Sequence, residues 1–239
     1  MQSKIADFIQ LKNQPVAVCR IEQCPEGAMQ FKEGKWGCVV AMLYAASKGR
    51  MAAFSDRTVV CRGGKAGLGF QPLEKGVMEY FLSTGEKGPK AGEFYKKSPE
   101  LAGNYMAEIP EPTSEKYVVF VPLNELQPDQ NPEVIIFLAN ADQISGLATL
   151  ANYDRETQDH VKVLFGAGCV QAVRYPLAEE EQGGDCCYIG LTDPSARKCI
   201  DKDVLSFSIP WHRFLEMEKE AEGSFLTKET WSQIARRIV

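Results

Sequence analysis

Gly37-Cys38-Val39-Val40-Ala41-Met42-Leu43-Tyr44 in the first half of the chain and Gly168-Cys169-Val170-Gln171-Ala172-Val173-Arg174-Tyr175 in the second share the pattern Gly-Cys-Val-x-Ala-apolar-x-Tyr. Other landmarks recur around both stretches in one order. Pro15-Val16-Ala17-Val18 precedes the first and Pro132-Glu133-Val134-Ile135 the second; Ala53-Phe54-Ser55-Asp56 then Cys61 follow the first, and Gly190-Leu191-Thr192-Asp193 then Cys199 the second. The halves close on Phe120-Val121-Pro122-Leu123 and on Ser208-Ile209-Pro210-Trp211. Such self-similarity marks a repeated supersecondary unit, which predicts half-repeats over about 12–123 and 130–215 and helices over 211–239. Chance similarity between two strand-helix-strand units is the plainer alternative.

Apolar, β-branched stretches predict strands at Val16 to Ile21, Met51 to Phe54, Thr58 to Cys61, Tyr117 to Val121, Val134 to Ala139, Cys186 to Leu191 and Leu205 to Ile209. Helical periodicity runs from Cys38 to Lys48, through Val77 to Leu82, and through Leu147 to Ala151, with Val161, Leu164 and Phe165 continuing it. A short amphipathic helix is expected within Met1 to Leu11, and helices through Phe214 to Ala221 and Trp231 to Ile238, the last capped by Thr227. Alternating elements of this kind predict one domain of α/β (α+β) class, a mixed sheet with flanking helices. Ser83 to Lys116, rich in Gly, Pro and Lys, reads as a connection with short helices around Pro99 to Ala107, and Pro122 to Glu133 as a linker.

The 239 residues, 44% hydrophobic and 25% charged, have the composition of an ordinary globule with a sizeable core. With 27 Lys plus Arg against 32 Asp plus Glu the net charge is −5, so no broad basic field invites nucleic acid or anionic lipid. No run of about 18 apolar residues predicts a membrane span. The N-terminal stretch lacks the layout of an export signal, so a cytoplasmic location is expected, and with it reduced cysteines.

Eight cysteines are the one compositional oddity. Cys38 and Cys169 each follow a glycine and should open a helix, where unpaired N–H groups and the positive end of the dipole favour thiolate. If the halves fold alike, Cys38, Cys61, Cys169 and Cys199 could converge as ligands of an iron–sulfur cluster or a tetrahedral zinc ion, or hold nothing. Their spacing is not that of a compact ligand motif. Cys19, Cys186 and Cys187 read as packed thiols, the last two on opposite faces of a strand.

The Pro-Val-Ala-Val opening, the Cys-x-x-Ala helix at Cys38, the Cys61-Arg62-Gly63-Gly64-Lys65-Ala66-Gly67-Leu68-Gly69 segment, the later Gly168-Cys169 and the closing Ile209-Pro210 resemble the uncharacterised ArCR family, the domain of unknown function one hundred and sixty-nine. The resemblance spans nearly the whole chain and points to Cys38, Cys61, Gly63, Gly64, Gly67, Gly69 and Cys169. It implies no activity, and Cys199 lies outside its pattern.

The segment from Arg62 to Gly69 reads as a loop whose glycines could turn N–H groups to one side for an anion, with Arg62 and Lys65 beside them, or as an ordinary turn. It matches neither a Walker loop nor a dinucleotide fingerprint. His160 is expected to be solvated, His212 to face a partner or the surface, Asp56 and Asp193 to cap turns, and Glu179-Glu180-Glu181 to form a solvated loop. No serine-hydrolase elbow occurs. Three functions follow as expectations: a cysteine-ligated metal or iron–sulfur protein, a module for a small anion such as phosphate or carboxylate, and a thiol-dependent transferase. A redox partner protein and a homo-oligomer belong to the same expectations.

Overall fold

The computed structural model describes residues 1–88, 90–114, 116–128 and 130–238. Pro89 and Glu115 in the first connection, Asp129 in the linker and Val239 at the end of the C-terminal helices lie outside the described residues.

The seven strands are β1 (Val16–Ile21), β2 (Ala52–Phe54), β3 (Tyr117–Pro122), β4 (Pro132–Ala139), β5 (Val161–Lys162), β6 (Cys187–Gly190) and β7 (Leu205–Pro210). They form one open sheet in the order β2-β3-β1-β4-β7-β6-β5. Every pairing is antiparallel except that of β5 with β6, so the sheet is mixed and the fold is α+β. The expected class holds. Outward from the central β1/β4 pair the order is β1, β3, β2 on one side and β4, β7, β6 on the other.

Among the described residues ten α-helices pack around it: α1 (Lys4–Phe8), α2 (Val39–Ser47), α3 (Arg62–Gly67), α4 (Met78–Leu82), α5 (Pro99–Glu108), α6 (Ala141–Ala151), α7 (Tyr175–Glu181), α8 (Pro194–Arg197), α9 (Trp211–Glu220) and α10 (Glu229–Ala235). A π-helix, Val170–Arg174, leads directly into α7. Pro176 near the start of α7 brings no N–H to bond one turn back, and the preceding turn is widened. None of the described helices is long and apolar enough to cross a membrane.

The central strands read as unbroken apolar runs because both faces of the sheet are covered. Ile135, Phe137 and Ala139 of β4 face a core completed by α1, α6, α9 and α10. Val134, Ile136 and Leu138 face a second core under α2, α3 and the π-helix. Arg213 of α9 lies wholly buried at the edge of the first core, its guanidinium held by Asp154, Glu216 and the Ala151 carbonyl.

Four expectations are corrected. Thr58 to Cys61 is not a strand: the Ser55 carbonyl accepts from the N–H groups of Thr58 and Val59 and folds the chain into a turn. Val161 belongs to β5, and Leu164 and Phe165 are exposed in the loop after it rather than in a helix. Thr227 does not cap α10; its hydroxyl donates to the Ser224 carbonyl. Glu179, Glu180 and Glu181 lie on α7, not a loop, and bond respectively to Tyr188, His212 and Arg174.

Candidate functional site

A cleft of about 990 Å³ opens on the α2/α3 side of the sheet, and Cys38, Cys61, Cys169 and Cys199 all line it. Three of the four stand at helix starts. Cys38 is the N-cap of α2, Cys61 that of α3 and Cys169 that of the π-helix, and none spends its side chain on a capping hydrogen bond. Cys199 follows α8, its N–H bonded to the Ala196 carbonyl. Asp193 ties the last two together: it caps α8 through the Ser195 N–H at 2.9 Å and accepts from the Gly168 N–H at 3.0 Å.

The glycine-rich segment is a helix, which corrects the expectation of a loop. Its end is a Schellman motif: Gly69 N–H bonds to the Ala66 carbonyl, Phe70 N–H to that of Lys65, and Gly69 itself takes φ +74°. Three glycines in six helical residues oppose helix formation, so packing must impose it. Gly67 shows how: a Cβ there would lie 2.7 Å from both Cβ and Sγ of Cys169. The bare backbone of α3 lets Cys169 close in, and its Sγ–H donates to the Gly63 carbonyl at 3.0 Å.

Of the residues picked out for an anion, Arg62, Gly63 and Gly64 lie on the cleft wall, whereas Lys65, Gly67 and Gly69 do not. Both cations are engaged, Arg62 with Glu74 at 2.8 Å and Lys65 with Asp56 at 2.8 Å.

Burial, not the helix dipole, dominates the thiols. It pushes Cys61 up, although the N–H groups of Gly63 and Gly64 at the start of α3 pull the other way. Cys169 is held well above the ordinary thiol range, first by burial and then by repulsion from Cys61 and Cys38. Cys199 is pushed up to about 11 by burial and by its hydrogen bond with Cys38. Left alone Cys61, Cys169 and Cys199 stay protonated at neutral pH, contrary to the thiolate character expected of Cys169 at its helix start.

Further lining comes from Leu73, from the helix expected at Val77 to Leu82 through Met78 and Phe81, and from the segment read as a connection through Tyr95 and Tyr105. Tyr105 of that segment meets the Phe165 ring edge to face with centroids 4.7 Å apart. The sequence signal was the aromatic content of that segment, masked by its Gly, Pro and Lys.

Fold and cleft together define an α+β protein with four cysteines, one buried and three half-buried, lining a largely apolar cleft. The chain belongs to the uncharacterised ArCR family, domain of unknown function 169, whose model matches residues 4–220. No curated protein and no solved structure matches it.

Proposed function

We propose that the chain is a cysteine-ligated metal protein whose cleft holds an iron–sulfur cluster, with Cys38, Cys61 and Cys169 as ligands and Cys199 as the fourth. The observation that carries this reading is the gathering of four cysteines from distant segments on one cleft wall. Ionising one of these thiols opposes ionising the next, and a cation relieves that opposition by taking up the thiolates while their protons leave to solvent. The size of the gathering favours a cluster over a single ion. Tetrahedral zinc, with zinc–sulfur bonds of about 2.3 Å, draws its sulfurs to roughly 4 Å apart; no three of these four sulfurs lie within 4.8 Å of one another. A cluster of several irons spaces its thiolates more widely.

The reading includes a reducing, cytoplasmic setting and a redox accessory role served by a partner protein. The two rival readings find less support. Arg62 and Lys65 are already paired with carboxylates, and of the two nucleophiles the transferase reading offers, Cys38 and Cys169, the raised thiol of Cys169 makes a poor one at neutral pH. Anaerobic purification followed by iron, sulfide and zinc analysis with a visible spectrum tests the proposal. Brown protein with matching iron and sulfide supports it. Zinc alone that is lost in Cys61→Ser replaces the cluster with the tetrahedral site, and colourless protein without iron, without zinc that depends on Cys61 and with its cleft thiols free to titrate overturns both.

A further inference from the structure

A second group of metal-ligating side chains lies at the far edge of the sheet. Because β5 runs parallel to β6, the residue before β5 sits beside those before β6, with the Cys187 N–H bonded to the His160 carbonyl at 2.8 Å. This juxtaposes His160, Asp185 and Cys186, and one donor atom from each falls within 4.8 Å of the other two.

The hydrogen bonds around His160 restrict what it can do. The Thr157 hydroxyl donates its one proton to Asp159 at 2.7 Å. Its oxygen also lies 2.9 Å from Nε2 of His160, so it must accept there, and Nε2 carries a proton. The ring therefore turns Nδ1 toward Asp185 Oδ1 at 3.1 Å. A neutral ring with its proton on Nε2 would set two lone pairs against each other. Either a second proton or a cation must lie between them.

Two further features favour the cation. The half-buried Cys186 sulfur lies within 4.8 Å of a donor atom of each of the other two residues, so a cation there gains a third ligand that a proton would not use. Arg155 holds the other oxygen of Asp185 at 3.2 Å, leaving Oδ1 aimed at the ring. The surrounding cations do not repel a metal, since Arg155, Lys162 and Arg213 are matched by Asp154, Glu216 and Glu179 besides Asp185.

We propose that His160, Asp185 and Cys186 form a zinc-type metal site separate from the cleft, with Thr157 as the positioning residue that orients the imidazole. One nitrogen, one oxygen and one sulfur donor suit a borderline cation such as zinc, and three protein ligands leave one tetrahedral position for an exchangeable ligand. On binding, the Cys186 proton leaves to solvent while Asp185 and Nδ1 give lone pairs.

Ring-nitrogen NMR of the ¹⁵N-labelled full chain during addition of zinc chloride tests this, and with two histidines in the sequence the signals are easily assigned. The His160 Nδ1 resonance should move and saturate at one zinc while His212 stays put. Thr157→Val, at an exposed position, should weaken zinc binding about 10-fold or more; Cys186→Ser should weaken it further. A His160 ring that keeps protons on both nitrogens and ignores zinc overturns the site and leaves an ion pair with Asp185. A zinc shift unchanged in Cys186→Ser overturns it too. Metal taken up by the cleft moves neither ring, so this test stands apart from the cluster reading.

Discussion

On the face of the sheet closed by α1, α6, α9 and α10, Cys19 and Cys187 are sealed among apolar side chains with 0% exposure, whereas on the opposite face Cys38, Cys61 and Cys199 stay half-buried at a cleft with Cys169 behind them. Burial pushes Cys19 up to about 12 and Cys187 higher still, and among the described residues neither lines the cleft. The same residue type thus serves as a small hydrophobe on one face and a converging donor on the other. What separates the two uses is company. The sealed thiols meet aliphatic and aromatic groups, while the cleft thiols meet one another and the N–H groups of Gly63 and Gly64.

If one face is scaffold and the other site, the largest loss of stability should come from the scaffold face. Arg213→Ala removes a wholly buried guanidinium that holds Asp154 and Glu216, and should cost on the order of 3 kcal/mol in urea unfolding while leaving any metal content unchanged. Loss of metal with stability intact would break the comparison. The same contact sets a pH dependence. The hydrogen bond from Arg213 holds the Asp154 carboxyl below its ordinary range, so its contribution is present above the unfolded value, near 4. That contribution fades as pH falls through the lowered folded value. Melting curves below pH 4 should drop more steeply for the natural chain than for Arg213→Ala.

The next largest effect applies one substitution to both faces. Cys187→Ser puts a hydroxyl into a fully buried site with no hydrogen-bond partner provided for it and should destabilise by about 2 kcal/mol. Cys61→Ser, half-buried and with backbone N–H groups to meet the oxygen, should cost less than about 0.5 kcal/mol but should reduce bound iron and sulfide. Thermal unfolding and metal analysis on both variants check the pair, and equal losses of stability would erase the distinction.

Much of this architecture was legible in advance, for a physical reason. β1, β3 and β4 are covered on both faces, so their sequences are near-continuous apolar runs, and β7 alternates apolar residues with Ser206 and Ser208, patterns that admit few other readings. Cys38 and Cys169 were legible as helix starts because Gly-Cys before an apolar helix recurs. The reading of two half-repeats remains a proposal, supported by the shared outward order β1, β3, β2 and β4, β7, β6. The glycine helix was not legible: local propensity argues for a loop at Arg62 to Gly69, and only the contact with Cys169, remote in sequence, makes a helix pay. Nor was the aromatic lining, since Tyr105 gains its place from direct contact with Phe165, remote in sequence.

Gly67→Ala sharpens the comparison on the cleft side. Alanine is favoured over glycine within a helix by about 1 kcal/mol, so a free helix would gain. Here the added methyl meets Cys169 backbone and side chain at 2.7 Å, and overpacking of that kind costs about 1–3 kcal/mol. The net effect should be a destabilisation of about 1 kcal/mol with reduced metal content. Gly103 in α5 is the control, since its added Cβ would meet nothing closer than Glu79 Cγ at 3.7 Å. Gly103→Ala should stabilise by up to about 1 kcal/mol.

The smallest expected effect tests whether the cleft's two second-half thiols are held as a unit. Asp193 spends one oxygen on the Ser195 N–H at the start of α8 and the other on the Gly168 N–H before Cys169. Asp193→Asn keeps an oxygen for the cap, so global stability should fall by less than about 0.5 kcal/mol. The amide cannot accept at both places, because one of its two ends is a donor, and one N–H must lose its partner. If the capping oxygen stays with Ser195, the Gly168 amide is released and the segment carrying Cys169 loosens. Hydrogen exchange should then speed up at Gly168 while Ser195 stays protected, and Cys169 should react faster with a thiol probe although the melting temperature hardly moves. Unchanged exchange at both amides would mean that packing of Gly168 against Val40, Leu191 and Ala196 holds Cys169 in place without Asp193.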